Sequence, residues 1–249
     1  MTEKMLKQLY AGRQSALGRY RAIQAGDAGR VFLFRLELCM LLFKNMPGLP
    51  GLVLRRLFYR GLFKSMGRNV IIGAGVTLRN PRNIAVGDNV VLDDYCVLDA
   101  KGAECAGIAI GNNVFVSRNV ILSCKDGGIA IGSNITIGPN TIIHSVAESR
   151  VGVGDYSMIA ANCYLIGTAP YRRDRTDIPM MEQGLEPGRG VVIERDVWLG
   201  AGVTVADGAL IREGSVIGAH SFVRGEIPAY SIAAGQPATV RRCRKTEKA

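Results

Sequence analysis

The amino-acid sequence predicts an all-β solenoid, a left-handed parallel β-helix of six-residue units, and three features support this prediction. Branched aliphatic residues recur every six positions, as at Ile110, Val116 and Leu122. Each unit ends in a short polar segment rich in glycine and asparagine. Extra residues occur only after every third unit. A period of six matches neither the helical period of about 3.6 residues nor the strand period of two, so it indicates a strand and a corner in each unit.

The segment "IAVGDN" (84–89) shows the unit. Its first and third residues lie on the same side of an extended segment, because strand side chains alternate. Its last three residues suit a left-handed corner, which Gly and Asn tolerate best. The third positions are all Leu, Ile or Val: Val86, Leu92, Leu98, Ile110, Val116, Leu122, Ile131, Ile137, Ile143, Val153, Ile159, Leu165, Ile193, Leu199, Val205, Ile211, Ile217 and Val223. A short strand and a corner in every unit predict a solenoid with an aliphatic interior.

The insertions predict the cross-section. Extra residues follow the units that start at Cys96, Val120, Thr141 and Cys163. Three units therefore form one coil of a triangular prism, and the insertions leave from one edge. We expect the β-helix over 70–228 with a long loop at 168–190, an N-terminal helical segment over 1–69, and a C-terminal basic cap over 229–249.

Small residues occupy several first positions, where they are expected to point inward. These are Cys96, Thr141, Ser157, Cys163, Ser215 and Ser221. We interpret the two cysteines among them as small core residues rather than nucleophiles.

The N-terminal segment does not follow the six-residue period. It predicts helices at about 3–25, 29–45 and 50–65, interrupted by "MPGLPG" (46–51). The part at 52–64 mixes apolar and basic residues. We favour a helix that seals the open end of the solenoid, since solenoids need capped ends. The alternative is an interfacial helix that makes a peripheral contact with anionic lipid.

Composition limits the partners. The chain has 249 residues, a net charge of +10 and 6% aromatic residues. The charge favours anionic partners, but no nucleic-acid motif is present and aromatic residues are not interleaved with basic ones, so we expect no nucleic-acid partner. The longest apolar stretch, at 31–43, is too short to cross a bilayer. The absence of a secretory signal and of paired cysteine motifs predicts a cytoplasmic protein with reduced thiols.

The segment "VWLGAGVTVADGALIREGSVIGAHSFVRGEIPAYSIAAGQPATVRR" (197–242) resembles the C-terminal half of bacterial hexapeptide-repeat acyltransferases, which include galactoside, maltose and capsular-sugar O-acetyltransferases. The resemblance covers about 70–242. It implies a homotrimer that transfers an acetyl or other short acyl group from acetyl-CoA, or another acyl-CoA, to a saccharide or related small molecule. The active sites would lie between subunits, and no metal is implied.

The resemblance also implies which residues bind coenzyme A. They are Trp198, Gly200, Ala201, Gly218, Ala219, Arg224 and Arg242. Backbone amides at tight turns suit the amides of the pantetheine arm, and small residues leave room for it. Where relatives often have a Thr-Lys pair, this chain has Arg224-Gly225, so Arg224 is expected to contact a phosphate with help from Arg242.

The long loop is expected to border the acceptor site. In the family it reaches over a neighbouring subunit, which implies that Tyr171, Arg172, Arg173 and Asp174 contact the substrate. The arginines of this loop, which include Arg175, could bind an anionic sugar or a phosphate. The alternative is that they are ordinary solvated charges of a long loop.

The sequence departs from the family at the catalytic base. Pro170 or Ala169 stands where relatives have the histidine that deprotonates the acceptor hydroxyl. His144 stands where relatives have an active-site asparagine, about one coil away, and we expect it to point outward and to act as the base. The alternative is a histidine that binds substrate or is solvated at a corner. His220 is expected to be a surface residue.

The sequence is compatible with two classes of function. The first is an acyltransferase that transfers the acyl group to a hydroxyl or to an amine. An amino-sugar acceptor would fit the missing histidine better, because a free amine needs less help from a base. The second is a catalytically inactive trimer that binds coenzyme A or a glycan. Two histidines cannot supply the three-histidine zinc site of carbonic anhydrases with this fold.

Overall fold

The computed structural model describes residues 15–102, 105–168, 171–186 and 188–244. It is a parallel β-solenoid with three flat faces, matching the left-handed β-helix that the sequence predicts. Seven complete coils each contribute one strand to every face, and an eighth coil is partial. The prediction of three units per coil is therefore confirmed.

Each face is one sheet of stacked short strands. Face A contains β1 (Ser65–Met66), β4 (Ile84–Val86), β7 (Gly107–Ile110), β10 (Gly128–Ile131), β13 (Arg150–Val153), β16 (Val191–Ile193), β19 (Leu210–Ile211) and β22 (Glu226–Ile227). Face B contains β2 (Ile71–Ile72), β5 (Val91–Leu92), β8 (Val114–Val116), β11 (Ile135–Ile137), β14 (Met158–Ile159), β17 (Trp198–Leu199), β20 (Val216–Ile217), β23 (Ser231–Gly235) and β24 (Ala238–Cys243). Face C contains β3 (Thr77–Arg79), β6 (Val97–Lys101), β9 (Ile121–Lys125), β12 (Ile142–Val146), β15 (Tyr164–Gly167), β18 (Thr204–Val205) and β21 (Phe222–Val223).

The interior is aliphatic, as the repeat predicts. All the third-position residues of the repeat are buried. The small first-position residues are buried too, including Cys96 and Cys163. Burial raises the pKa of the Cys96 thiol to about 12 and also raises that of Cys163. Both thiols therefore stay protonated near neutral pH, which supports their interpretation as small core residues.

Asparagines form the left-handed corners. Asn89, Asn113 and Asn134 all have φ between 56° and 60°, where asparagine is tolerated better than most residues. Their side chains also stack from coil to coil. Asn89 Nδ2 donates to Asn113 Oδ1 at 3.0 Å, and Asn113 Nδ2 donates to Asn134 Oδ1 at 3.0 Å. The corner residues thus bind successive coils to each other as well as turning the chain.

Three helices precede the solenoid in the described part of the chain: α1 (Ala16–Ala25), α2 (Arg30–Phe43) and α3 (Gly48–Tyr59). Helix α3 packs on the first coil. The buried Arg55 guanidinium donates to the carbonyl of Ile72 in β2 at 2.8 Å, and to the carbonyls of Phe43 and Met46 at 2.9 and 2.7 Å. The predicted seal over this end of the solenoid is therefore present. The predicted helical residues before 15 lie outside the described residues.

The strand ladder extends beyond the range expected from the sequence. It begins at β1, before residue 70, because "KSMGRN" (64–69) is a repeat unit whose first residue is Lys64 rather than an aliphatic. At the other end β23 still pairs in parallel with β20, and β24 folds back antiparallel against β23. The basic C-terminal segment therefore adds a strand to face B. Two short 3₁₀ helices, Pro81–Asn83 and Met180–Glu182, lie in the insertions.

The insertions leave the prism between faces C and A, as expected. No helix among the described residues is long and apolar enough to cross a membrane.

Candidate active site

His144 lies on the outer side of face C. It is in β12, where buried and partly exposed residues alternate, and its own side chain is half-buried. It pairs in register with Ser123 on one side and with Ile166 on the other. His144 therefore points outward and lies one coil before the long loop, as the sequence predicts. The role of this imidazole as a base stays a proposal.

The surroundings of His144 keep the imidazole neutral. Burial is the main cause of a lowered pKa, and the positive charge of Lys101 lowers it further. A hydrogen bond with the Ser123 backbone and the negative charge of Asp99 act in the opposite direction and are weaker. A folded-state pKa below 6.5 leaves the ring free to accept a proton at neutral pH, and the ring loses this capacity as the pH falls through that pKa.

A charged cluster that was not predicted from the sequence lies beside His144 on the preceding coils. Asp99 is buried and accepts from Lys101 Nζ at 2.7 Å and from Arg79 Nη1 at 3.5 Å. Lys125 pairs in register with Lys101, and burial lowers its pKa. The signal was available in the repeat, because Arg79, Asp99, Ser123 and His144 are in register on successive strands. Finding it required counting across insertions of unequal length.

The long loop is folded on itself, and its predicted substrate residues are exposed. Tyr171 forms a β-bridge with Leu185, and the Arg172 amide donates to the Gly184 carbonyl at 3.1 Å. Arg172, Arg173 and Asp174 are exposed, and none of them forms an ion pair within the described residues. Among the described residues, no hydrogen bond or ion pair joins Tyr171, Arg172, Arg173 or Asp174 to His144. The two positions considered for the family histidine, Ala169 and Pro170, lie outside the described residues.

Five of the seven predicted coenzyme residues gather at the edge between faces B and C. Trp198 is 49% exposed in β17, and Gly200 and Ala201 follow it at the corner. Gly218 and Ala219 form the same corner one coil later. A Cβ atom on Gly200 would lie 2.6 Å from the Ala219 nitrogen. Glycine at this position therefore allows the two corners to stack closely.

Backbone amides are open along this edge. The N–H groups of Ala161, Ala201 and Ala219 donate no hydrogen bond to any described part of the chain. They hold the fifth position of the unit in three successive coils. Ala161 was not predicted as a coenzyme residue, although it holds the same position in its unit as Ala201 and Ala219. One coil before Ala161, the same position of the unit is Pro139, which has no N–H, so the series of open amides begins at Ala161.

The edge between faces A and B shows why these amides are open. There the equivalent N–H groups of the first four coils are capped by side chains of the next coil. Asp88 N donates to Asn112 Oδ1 at 2.7 Å, Asn112 N to Ser133 Oγ at 3.0 Å, and Ser133 N to Asp155 Oδ1 at 2.7 Å. An alanine in the next coil supplies no such acceptor. The alanines thus leave donors available to a ligand that carries amides of its own.

The two predicted phosphate contacts are exposed arginines. Arg224 follows β21 on face C, and Arg242 is in β24 on face B, paired with Ile232. Within the described residues neither guanidinium forms an ion pair. Arg224 and Arg242 therefore lie on different faces of the prism.

Comparison with known families supports the repeat assignment. Residues 190–225 match the model of the bacterial transferase hexapeptide, six repeats. The chain is 32% identical over 142 residues to a probable acetyltransferase of Mycobacterium tuberculosis, covering 57% of this chain and 46% of that protein. It is 27% identical over 182 residues to dTDP-4-amino-4,6-dideoxy-D-glucose acyltransferase of Escherichia coli, covering 71% and 80%. The chain spans about half the length of the first curated relatives that it matches.

Solved structures share the fold. One is a variant of an N-acyltransferase from Bacillus cereus in complex with dTDP-4-amino-4,6-dideoxyglucose and coenzyme A, with a TM-score of 0.54, 24% identity, and coverage of 78% of this chain and 90% of that one. Another is a polysialic acid O-acetyltransferase, with a TM-score of 0.58, 20% identity, and coverage of 72% and 85%. In its six-residue repeat and its coils, the chain is similar to these hexapeptide-repeat transferases.

Proposed function

We propose that the protein transfers an acetyl or other short acyl group from coenzyme A to a hydroxyl or amino group of a saccharide. One observation carries this proposal: the open amides of Ala161, Ala201 and Ala219 adjoin face C, where His144 lies one coil before Ala161. A ligand bound along that edge would bring its end toward the imidazole. The relatives that act on sugars, or that hold coenzyme A and an amino sugar, point to the same chemistry.

In the proposed reaction His144 accepts the proton of the acceptor as the acceptor attacks the thioester carbonyl. The new carbon–oxygen or carbon–nitrogen bond forms, the carbon–sulfur bond breaks, and coenzyme A leaves as a thiolate that takes up the proton held by the His144 imidazolium, which restores the neutral base. The neutral imidazole favoured by burial and by Lys101 is the form that this step requires. Tyr171, Arg172, Arg173 and Asp174 would contact the acceptor from the loop.

The direct test is release of free thiol from acetyl-CoA by the purified protein, across a panel of sugars and amino sugars. We expect thiol release that depends on one acceptor class. A protein that binds coenzyme A without any acceptor-dependent thiol release would instead be the inactive trimer, the alternative suggested by Pro170 in place of the usual histidine.

We also propose that the active unit is a homotrimer in the cytoplasm. An exposed apolar row along face B supports the oligomer, since Ile71, Phe115, Met158 and Trp198 share one side of the sheet and are 43–49% exposed. Light scattering at micromolar concentration should give three times the chain mass of 26.8 kDa. A monomer under these conditions would contradict the proposal. The peripheral membrane contact considered from the sequence concerns the N-terminal helices, and the acyl transfer does not depend on it.

The exposed Arg224 offers a test of the coenzyme orientation. Replacing Arg224 with alanine should weaken binding of coenzyme A about tenfold, which is the size of one charge-assisted contact with a phosphate. The loss should be smaller for the form of coenzyme A that lacks the 3′-phosphate. Isothermal titration with both ligands measures this difference. Equal losses would show that Arg224 does not contact that phosphate.

A further inference from the structure

Helix α2 has an apolar stripe that faces solvent. Val31, Phe34, Leu38 and Leu41 are 83%, 69%, 42% and 81% exposed. They are spaced three or four residues apart, so they share one face of the helix. The opposite face, with Leu36 among its buried residues, supplies the packing. Nothing among the described residues covers the stripe.

Helix α3 repeats this arrangement. Leu49, Val53 and Leu57 are four residues apart and are 76%, 62% and 67% exposed. The face of α3 that seals the solenoid is a different one, which contains the buried Arg55 and Tyr59. Sealing the end of the solenoid therefore does not account for the apolar residues on the outside.

The charge of this region is strongly positive. Residues 15–64 contain nine Lys or Arg residues and only two Asp or Glu residues. The exposed Arg30 and Arg35 flank the stripe of α2, and the exposed Arg56 and Arg60 follow Val53 and Leu57 by three residues on α3. Exposed apolar side chains beside basic ones are typical of a helix that lies in the headgroup region of an anionic bilayer.

We propose that the outer faces of α2 and α3 dock on the surface of an anionic lipid membrane. The positive charge beside the apolar stripes favours a lipid surface over a second copy of the chain as the partner. A second copy of this chain would bring the same basic residues against themselves, which is unfavourable, whereas anionic headgroups neutralise them. The docking leaves faces B and C of the solenoid free, and it goes beyond the proposed acyl transfer.

Sedimentation of the full-length protein with vesicles tests this proposal. Vesicles that contain about 30% phosphatidylglycerol in phosphatidylcholine should bind the protein, and vesicles of phosphatidylcholine alone should not. Raising the salt concentration should weaken the binding, since it screens the basic residues. The double variant Phe34→Ser and Leu41→Ser should bind about tenfold more weakly, and so should the triple variant Arg30→Gln, Arg56→Gln and Arg60→Gln.

Matched controls separate this surface from general properties of the chain. The control for lost apolar area is a double variant at exposed valines outside the helices, Val192→Ser with Val240→Ser. The control for lost charge is a triple variant at exposed arginines of the solenoid, Arg118→Gln, Arg150→Gln and Arg241→Gln. Both controls should bind like the unchanged protein, with the same circular dichroism. Absence of binding to anionic vesicles, or equal binding by the helix variants and their controls, would overturn the proposal. So would a loss of oligomeric mass in the helix variants, which would assign the stripes to a second copy.

Discussion

Replacing His144 with asparagine should lower turnover of a hydroxyl acceptor by about 100-fold or more, the usual contribution of a general base. Asparagine restores the residue that the resemblance implies for this position and removes the titrating group. The imidazole is half-buried on face C, and its lowered pKa keeps it neutral. Thiol release from acetyl-CoA with the identified acceptor measures the loss, and binding of coenzyme A should not change.

The other histidine provides the control. His220 is exposed at a left-handed corner with φ of 56°, a conformation that asparagine also adopts. His220→Asn should therefore keep both the fold and the activity. If His144→Asn retains full turnover, His144 is not the base and an amine acceptor, which needs less help, becomes the better hypothesis.

The pH dependence provides a second check on the same residue. Because burial lowers the pKa of His144, activity should be present at neutral pH and should fall as the pH drops through a value below 6.5. Replacing Lys101 with glutamine removes a charge that lowers this pKa and leaves Asp99, which raises it. The acid side of the profile should then move to higher pH. A profile that does not move would show that a different group titrates.

The repeat made most of the fold predictable, and the exceptions have physical causes. A unit begins with an aliphatic residue only where its coil is covered by packed neighbours on both sides. Lys64 opens the first unit at the end of the prism, where its amide bonds to the Ile84 carbonyl at 2.9 Å and its side chain remains exposed. The first strand was therefore not recognised. Helices α2 and α3 were located because Pro47 and the nearby glycines interrupt the segment.

The site was predictable only in part. Alternation along a strand placed His144 on the outside, since this depends on its own unit alone. The charges of Asp99 and Lys101 come from the second coil, and their position beside His144 depends on the register of two intervening strand pairs. The open amides depend on the side chain one coil later, which a single unit does not show. Each missed feature involves a neighbour in a different coil.

Replacing Ala219 with asparagine should lower the affinity for coenzyme A by at least about tenfold without destabilising the solenoid. On the edge between faces A and B, Asn112 caps the Asp88 amide of the preceding coil at 2.7 Å. Asparagine at 219 would hold the equivalent position one coil after Ala201 and would cap its open amide in the same way. A hydrogen bond made within the protein is then no longer available to a ligand.

The same position supplies the matched control for this variant. Ala219→Gly also removes the alanine, but it adds no acceptor, so the Ala201 amide stays open and binding of coenzyme A should remain near that of the unchanged protein. Because Ala219 is exposed, neither substitution disturbs the core. Isothermal titration with coenzyme A measures the affinity, and thermal unfolding measures the stability, which should be equal or higher for asparagine because a bare amide gains a partner. If the asparagine and glycine variants bind equally well, the open amides are not the coenzyme contacts and the cofactor must lie elsewhere on the prism.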